Sequence, residues 1–460
     1  MKLTFHGGAK AVTGANYLLE SDPSTGSGQV SKILVDCGLR QGGRYCEMDN
    51  FKPFPYEPAS VEEVFITHAH IDHIGRLPLL YKKGFRGKIF STPPTKDFAR
   101  ELLLDSEKIL SLEARDCREK PMYGVEEVEG LMALWETAAY RQILKVNGFE
   151  IEFYNAGHIL GSSSILVTEV KSGKRIVFSG DLGNPNAPLI QPADKISRAD
   201  YALVESTYGG RIHEDTQTRK DILESVIRET VKGGGVLMIP AFALERTQEL
   251  LFELNDLVEN GRIPRVPVFI DSPLAIKLTA VYKKYSEDPT YFSDRAIKLL
   301  RGGDAIFDFP GLHLTLTTEQ SKEINDVPPP KIIIAGAGMS HGGRIVHHEK
   351  RYLSDPKNTL LFVGYQAGDS LGRRILDGAK TVKILGENIS VRAKVKAIGG
   401  YSAHADQPAL IEWLRPMKLG LKKAYLVQGE EDQMEPLMQR IKRDLSIDVE
   451  IPSPGEEVVL

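Results

Sequence analysis

The chain has 460 residues, a length that accommodates two or three domains. Its composition, 42% hydrophobic and 26% charged, is that of an ordinary globular protein, and the net charge of -4 gives no support for a strongly basic, nucleic-acid-coating protein. Three cysteines without CxxC spacing argue against a disulfide framework or a cysteine zinc site, and no apolar stretch approaches the roughly 20 residues of a membrane span. We therefore expect a cytoplasmic protein with no membrane partner.

The chain up to about residue 200 alternates short apolar strands with turns and helices. Lys32–Cys37 and Val61–Thr67 are expected as buried strands, and Thr95 or Asp97 is expected to cap a long amphipathic helix that runs to about Arg115. Gln142–Val146 and Phe149–Tyr154 flank an Asn-Gly pair, which is typical of a β-hairpin turn.

A dense run of potential metal ligands follows the second of these strands. The run His68-Ala69-His70-Ile71-Asp72-His73 places three histidines and one aspartate within six residues. Imidazole nitrogens and carboxylate oxygens are the donors that zinc and similar divalent metals bind. A polar surface loop or a helix start is the alternative interpretation, and it does not account for this density. The run therefore predicts a metal site, with two metals.

Three further turns carry one potential ligand each after an apolar strand. Asp36 precedes Cys37-Gly38, His158 lies between glycines 157 and 161, and Asp181 follows Gly180. Taken singly, each is also compatible with ordinary turn chemistry. Together they repeat one design, in which ligands stand at strand ends and glycines let the backbone approach closely.

The pattern changes after about Thr207, where helices and apolar strands alternate in a way that predicts a parallel sheet with helices on both faces. From about Thr381 strands return. The expected helices are Arg219–Val231 and Arg246–Asn260, and the expected strands are Val236–Ile239, Val266–Ile270, Lys331–Ala335, Thr359–Val363, Asn388–Ile398 and Ala424–Gln428.

The ordered set of Asp36, the HAHIDH run, His158 and Asp181 resembles the metallo-β-lactamase superfamily. The later motifs are similar to the β-CASP branch of nucleases, in particular to compact prokaryotic homologues of the nuclease subunit of the cleavage and polyadenylation specificity factor. These motifs are Leu203–Gly209, Pro240–Ala243, Asp271–Ala275, Gly338-Met339 with Gly342–Arg344, and Gly400–Asp406.

This resemblance implies an α/β fold, a metallo-β-lactamase four-layer αβ/βα sandwich with an inserted α/β (β-CASP) domain of mainly parallel sheet. It implies three segments: residues 1–208 as the first part of the metallo-β-lactamase domain, residues 209–380 as the β-CASP domain, and residues 381–460 as the C-terminal return.

The resemblance also implies the roles of the site residues. The first zinc would be held by His68, His70 and His158, and the second by Asp72 and His73, with Asp181 bridging both and Asp36 orienting a ligand histidine. His404 would act as general acid, held in its charged form by Glu205, and these two are expected to be catalytic together with Asp72 and Asp36. The alternatives are a helix-capping role for His404 and an ion pair of Glu205 with Arg246 or another basic residue.

A glycine-rich stretch after the strand Lys331–Ala335 is expected to open a helix, and backbone amides at a helix start bind phosphate. In the context of the resemblance, this stretch is expected to contact an RNA phosphate. The expected substrate-binding residues are Gly338, Met339, Gly342, Gly343, Arg344 and Ser402.

One position departs from the pattern of RNA-cleaving relatives, which carry a Val-His-Gly-Glu motif whose histidine completes the second zinc site. Here the segment is Val427-Gln428-Gly429-Glu430, and no histidine follows His404. Glutamine is a neutral and poorer zinc ligand than imidazole. Three interpretations remain open: a weak second zinc site that includes Gln428, a natural one-metal variant, or a chain altered at this position.

The resemblance thus implies a zinc-dependent ribonuclease that hydrolyses single-stranded RNA by a metal-bound hydroxide, as an endonuclease with an additional 5′ exonuclease activity. Two Zn²⁺ per chain are expected, the second held weakly, and a homodimer is a further expectation. The alternatives are a DNA nuclease of the same branch, since DNA-processing relatives such as Artemis also lack that histidine, a non-catalytic RNA-binding partner of an active nuclease, and a small-molecule hydrolase of the superfamily.

Overall fold

The computed structural model describes residues 1–21, 30–41, 49–213, 216–364, 366–368 and 370–460. Its contacts divide the chain into two compact units. Unit 1 comprises Met1–Pro185, Pro192–Ile212 and His404–Leu460, and unit 2 comprises Asn186–Gln191 and His213–Ala403. The sequence placed its second domain boundary between residues 380 and 381, whereas the contacts assign residues up to Ala403 to unit 2.

Unit 1 contains two mixed sheets. In the first, the strands lie in the order β22-β1-β2-β3-β4-β5-β6, and in the second in the order β21-β20-β11-β10-β9-β8-β7. The first sheet is built from β1 (Lys2–Gly7), β2 (Asn16–Glu20), β3 (Lys32–Val35), β4 (Glu63–Phe65), β5 (Lys88–Ser91), β6 (Trp135–Thr137) and β22 (Glu457–Val459). The second is built from β7 (Leu144–Val146), β8 (Phe149–Asn155), β9 (Ser163–Glu169), β10 (Arg175–Phe178), β11 (Tyr201–Glu205), β20 (Lys423–Val427) and β21 (Asp448–Glu450).

The two sheets of unit 1 pack face to face through a shared core. Phe5 and Phe65 of the first sheet join Phe153 and Phe178 of the second in one buried cluster, and the rings of Phe65 and Phe153 are 6.4 Å apart. Helices cover the outer faces, so the four-layer sandwich predicted from the sequence is confirmed. The helices are α1 (Ile71–Ile74), α2 (Leu77–Lys82), α3 (Pro93–Asp116), α4 (Val125–Met132), α12 (Gln407–Leu414) and α13 (Glu431–Leu445).

Unit 2 contains a sheet in the order β14-β13-β15-β12-β16-β19, in which every described pairing is parallel, as the sequence predicted. A separate antiparallel hairpin joins β17 to β18. The strands are β12 (Val236–Pro240), β13 (Val268–Asp271), β14 (Leu312–Leu314), β15 (Lys331–Ala335), β16 (Thr359–Phe362), β17 (Thr381–Ile384), β18 (Glu387–Ser390) and β19 (Lys394–Ala397). The helices are α5 (Thr216–Lys232), α6 (Arg246–Glu259), α7 (Pro273–Tyr285), α8 (Asp294–Arg301), α9 (Thr318–Glu323), α10 (Ile345–Tyr352) and α11 (Leu371–Leu376).

Glycines allow two loops of unit 1 to pass very close to other backbone. A Cβ atom on Gly38 would lie 1.5 Å from the carbonyl oxygen of Asp72, and one on Gly183 would lie 1.6 Å from that of Gly157. Any larger residue would force these loops apart. Both contacts hold together loops that carry the potential metal ligands.

Two further expectations concern cysteines and membranes. Cys37 is a free, buried thiol, but Cys117 is disulfide-bonded, which the odd cysteine count did not suggest. Cys46 lies outside the described residues. No helix in the described part of the chain is long and apolar enough to cross a bilayer.

Candidate metal centre

The predicted ligands of unit 1 come together at the ends of its strands. Asp36 directly follows β3, Gln428 follows β20, and Glu205 is the last residue of β11. Asp36 and Gln428 both adopt left-handed backbone conformations, with φ of 58° and 51°. These turns end the strands abruptly and leave the side chains at one edge of the sandwich.

Three imidazoles converge on a first position. The Nε2 atom of His68 lies 3.0 Å from Nδ1 of His70, which in turn lies 3.1 Å from Nε2 of His158. Asp181 completes the group, and the four ligand atoms all lie within 4.8 Å of one another. Among the described residues, this is the one group of three or more His, Cys, Asp or Glu side chains found with such spacing.

The carboxylate of Asp181 faces two sets of residues at once. Its Oδ2 atom lies 3.3 Å from Nε2 of His68 and 3.5 Å from Nε2 of His158. Its Oδ1 atom lies 3.3 Å from Nε2 of His73. Burial opposes ionisation of this carboxyl, but the imidazoles of His73 and His68 hold its pKa well below the usual range. Asp181 thus contacts residues around both positions.

The second position is bounded by Asp72, His73, Asp181 and Gln428. Oδ2 of Asp72 lies 3.9 Å from Nε2 of His73. Nε2 of Gln428 lies 2.9 Å from the same His73 nitrogen and donates to Oδ1 of Asp181 at 2.6 Å. An amide group therefore stands between the two side chains that would supply the second metal with a nitrogen and an oxygen.

Asp36 and Thr67 support the ligands from behind. Oδ2 of Asp36 is 2.8 Å from Nδ1 of His73, and both carboxylate oxygens accept hydrogen bonds from Thr67, one from its amide and one from its hydroxyl. The Thr67 hydroxyl also lies 3.1 Å from Nδ1 of His68. Such partners orient metal-ligating histidines. Thr67 was missed by the sequence analysis, and its position directly before His68 was the available signal.

His404 lies beside the first position and is tethered to Glu205. Nδ1 of His404 is 3.1 Å from Oε1 of Glu205, and its Nε2 is 3.9 Å from Oδ2 of Asp181. Glu205 is fully buried and also accepts hydrogen bonds from the amides of Leu182 and Thr207. Burial disfavours the charged imidazole, but the carboxylates of Glu205 and Asp181 outweigh it and raise the pKa of His404 to about 9.

The structure shows neither of the alternative roles considered for His404 and Glu205. Asp406, rather than His404, caps α12 by accepting from the amide of Ala409. Arg246 pairs with Glu249 instead of Glu205. The loop of His404 is held against the loop of Asp181. His404 forms an antiparallel β-bridge with Gly183, and the amide of Ala405 donates to the carbonyl of Leu182 at 2.7 Å.

The donor sets at the two positions differ in how well they fit a metal ion. The first offers three imidazole nitrogens and a carboxylate oxygen, all from largely buried side chains, and this is an ordinary donor set for zinc and similar ions. Burial and the neighbouring His68 lower the pKa of His70, which keeps its imidazole neutral, as a ligand must be. The second donor set fits a metal ion less well, because the side-chain NH₂ group of Gln428 points at two of its donor atoms.

The residues expected to bind substrate lie in unit 2. Gly338, Met339, Gly342 and Gly343 belong to the loop between β15 and α10, and Ser402 precedes His404. A Cβ on Gly338 would lie 2.8 Å from the ring of Phe242, which is 42% exposed.

The guanidinium of Arg344 is already engaged within unit 2. It donates to Oδ1 of Asp271 at 2.7 Å and to the carbonyls of Thr315 and Leu316. From the sequence we expect this side chain to serve as a cation for RNA. The structure shows additional partners, which hold the start of α10 against the end of β13.

Comparisons with known families match three parts of the chain. The metallo-beta-lactamase superfamily domain matches residues 27–185, the Beta-Casp domain residues 247–375, and the Zn-dependent metallo-hydrolase RNA specificity domain residues 388–452.

Among similar proteins is Ribonuclease TTHA0252 of Thermus thermophilus, which is 36% identical over 435 residues that cover 94% of each chain. Transcription termination factor FttA of Methanosarcina mazei is 30% identical over 464 residues, which cover 97% of this chain and 70% of that protein. A crystal structure of a protein of unknown function from Enterococcus faecalis V583 has a TM-score of 0.57 at 12% identity, with 100% of this chain and 99% of the other covered, and supports the fold alone.

Proposed function

Because this chain belongs to the β-CASP branch of the metallo-β-lactamase superfamily, we propose that it is a metal-dependent ribonuclease that hydrolyses phosphodiester bonds of single-stranded RNA. The observation that carries the proposal is the convergence of His68, His70, His158 and Asp181 on one point, with the His404–Glu205 pair directly beside it. The named ribonuclease with which the chain shares 36% identity along nearly its whole length supports the same substrate.

We propose zinc as the metal, because three imidazoles and a carboxylate are donors that zinc prefers, although manganese is also compatible with them. His68, His70, His158 and Asp181 would hold the first ion. The sequence expects a second ion at Asp72, His73, Asp181 and Gln428, but the donors there fit an ion less well, because the amide of Gln428 is hydrogen-bonded to Asp181 and lies 2.9 Å from Nε2 of His73. When bound, such ions activate water and offset negative charge on the phosphoryl group.

The residues of the chain supply the proton and the orientation. His404 presents Nε2 toward the metal position while Glu205 holds its Nδ1–H and favours the imidazolium form. We propose that Nε2 donates its proton to the leaving 3′ oxygen as the phosphorus–oxygen bond breaks, so that the alcohol leaves uncharged. Asp36 and Thr67 fix the ring of His73, and Asp181 holds both sets of ligands in register.

Other properties predicted from the sequence remain proposals. We expect an endonuclease with additional 5′ exonuclease activity, a homodimer and a cytoplasmic location. The glycine-rich loop at Gly338, Met339, Gly342 and Gly343, with Arg344 and Ser402, is proposed to contact the RNA. A DNA nuclease is a second candidate, and the specific observation in its favour is Gln428, because DNA-processing relatives also lack histidine there.

A substrate panel tests this function. The zinc-replete protein is incubated with 5′-labelled single-stranded RNA, with single-stranded DNA of the same sequence, and with a thioester. Cleavage of the RNA alone is the expected result. Preferred cleavage of the DNA would favour the second candidate, whereas hydrolysis of the thioester alone, or RNA binding without cleavage, would contradict a nuclease function.

A further inference from the structure

Gln428 is held rigidly at the second metal position. Its side chain is 2% exposed and lies at the end of β20 on a left-handed residue. Its backbone N–H donates to the carbonyl of Gly8 at 2.6 Å, and its backbone carbonyl accepts from the hydroxyl of Thr207 at 3.0 Å. The backbone on both sides is thus fixed, and the side chain has little freedom to swing away.

The hydrogen-bonding capacity of the neighbours sets the orientation of the Gln428 amide. Nδ1 of His73 lies 2.8 Å from the carboxylate of Asp36 and keeps its proton there, so in the neutral form that metal ligation requires, Nε2 is the acceptor. Oδ1 of Asp181 is an acceptor as well. The amide NH₂ group has two N–H donors, and it lies 2.9 Å from one acceptor and 2.6 Å from the other.

The reverse orientation is disfavoured. It would place the amide oxygen 2.6 Å from the carboxylate oxygen of Asp181, and two acceptors repel each other at that distance. The pairing of two donors with two acceptors therefore decides which end of the amide faces the site.

This arrangement saturates two lone pairs that a second metal ion needs. Resting on the proposed function, we infer that the Gln428 amide takes the place of the second metal ion and that the chain holds one metal ion. Of the donor atoms around the second position, Nε2 of His73 and Oδ1 of Asp181 are then both engaged by the amide. The first position is unaffected, because Oδ2 of Asp181 remains directed at His68 and His158.

Gln428 is accordingly a positioning residue. Its two hydrogen bonds join His73 to Asp181 across the second position, but they bring no positive charge. The inference concerns how many ions the centre holds, which is measured without any substrate.

Metal stoichiometry tests the inference. The full chain is stripped with a chelator, equilibrated with excess zinc, passed through gel filtration and submitted to elemental analysis. We expect about one zinc per chain for the unsubstituted protein and about two for Gln428→His, because imidazole replaces two N–H donors with a ligand nitrogen. Gln439→His places a histidine at an exposed position of α13 and should remain at one.

Two results would overturn the inference: two zinc ions retained by the unsubstituted chain, or a folded Gln428→His variant that still retains one. Should that variant fail to fold, Gln428→Glu serves instead, since a carboxylate cannot donate to both neighbours and should admit the second ion. A chain that holds one zinc yet cleaves no RNA would contradict the proposed function while leaving the one-metal inference intact.

Discussion

Asp181 gives the metal centre its form, because each of its carboxylate oxygens faces a different group of side chains. Oδ2 faces His68 and His158, and Oδ1 faces His73 and Gln428. One buried carboxylate thus ties together ligands from separate loops. A change at any of these positions alters the geometry of the others, so effects of substitutions here should be strongly non-additive.

The general-acid role of His404 gives the first prediction. His404→Gln removes the proton donor but keeps a polar side chain beside Glu205, and we expect kcat for RNA cleavage to fall by about 10²–10⁴-fold. Zinc content should not change, because His404 is outside the ligand group. Rapid-quench kinetics with elemental analysis checks both points, and a variant that loses its zinc along with its activity would place His404 among the ligands instead.

The hydrogen bond from His73 to Asp36 gives the second prediction. Asp36→Asn removes the charge that orients the ring, and partners of this kind typically account for about 10–100-fold in metal affinity. Because Asp36 orients His73 directly and adjoins His68 through Thr67, we expect weaker zinc binding in competition with a chromophoric chelator. Glu152→Gln, a partly buried carboxylate of β8, is a matched control that should bind zinc normally. Equal affinities for both variants would contradict the role of Asp36.

The residues of the site were only partly predictable. The HAHIDH run is contiguous, so the sequence displays it directly, and the pattern of a turn after an apolar strand picked out Asp36, His158 and Asp181, to which the resemblance gave roles. The hydroxyl of Thr67, the amides that hold Glu205, and the direction of the Gln428 amide depend on strands brought together from distant parts of the chain. Arg344 shows the same limit, because its partner Asp271 lies on β13, far from it in the sequence.

At the level of elements, strand ends position the chemistry. The parallel pairs β3–β4 and β11–β20 place the turns after them at one edge of their sheets, which is where ligands gather in such folds. Several boundaries differ from those expected. The helix α3 begins at Pro93 because proline is tolerated in a first turn, and the expected strand Asn388–Ile398 divides into β18, which pairs with β17, and β19, which pairs with β16.

The close loop contact at Gly38 gives an element-level prediction. In Gly38→Ala the new methyl group would overlap the carbonyl of Asp72, so the turn after β3 must move away from α1. We expect the free energy of unfolding to fall by more than about 2 kcal/mol in urea denaturation. Gly342→Ala is the matched control, because its Cβ would meet open space, and a similar loss in both variants would contradict the explanation.

A buried carboxylate in unit 2 gives a prediction that depends on pH. Burial raises the pKa of Asp271, but hydrogen bonds from His348, Ser321, Thr315 and Arg344 outweigh it and lower the pKa to about 2. The ionised form therefore stabilises the fold above about pH 4, and this contribution is lost as the pH falls from about 4 through about 2.

The variant Asp271→Asn isolates that contribution. We expect it to lower the free energy of unfolding by about 2–3 kcal/mol at pH 7, and the difference from the unsubstituted chain should shrink steadily below pH 4. Urea denaturation at a series of pH values measures it. A difference that stays constant down to pH 2.5 would mean that ionisation of Asp271 does not stabilise unit 2.

For the whole molecule, the sequence predicted the class of fold. The switch from mixed strands to strand–helix alternation indicated two architectures, and the structure has mixed sheets in unit 1 and a parallel sheet in unit 2. The sheet that β19 joins could not be predicted, because Lys394–Ala397 alternates like any other short strand, and the structure adds it to the sheet of unit 2. Which sheet a short strand joins is decided by tertiary packing rather than by its own residues.

The central claim is that RNA cleavage takes place at the metal centre of unit 1. It is tested most directly by stripping the chain and its His158→Ala variant with a chelator and following cleavage of labelled single-stranded RNA as zinc is added back. We predict that the stripped chain is inactive, that zinc restores cleavage, and that His158→Ala, which lacks one of the three converging imidazoles, stays inactive at the same zinc concentrations. Cleavage by the stripped chain, or equal recovery in both proteins, would contradict this account.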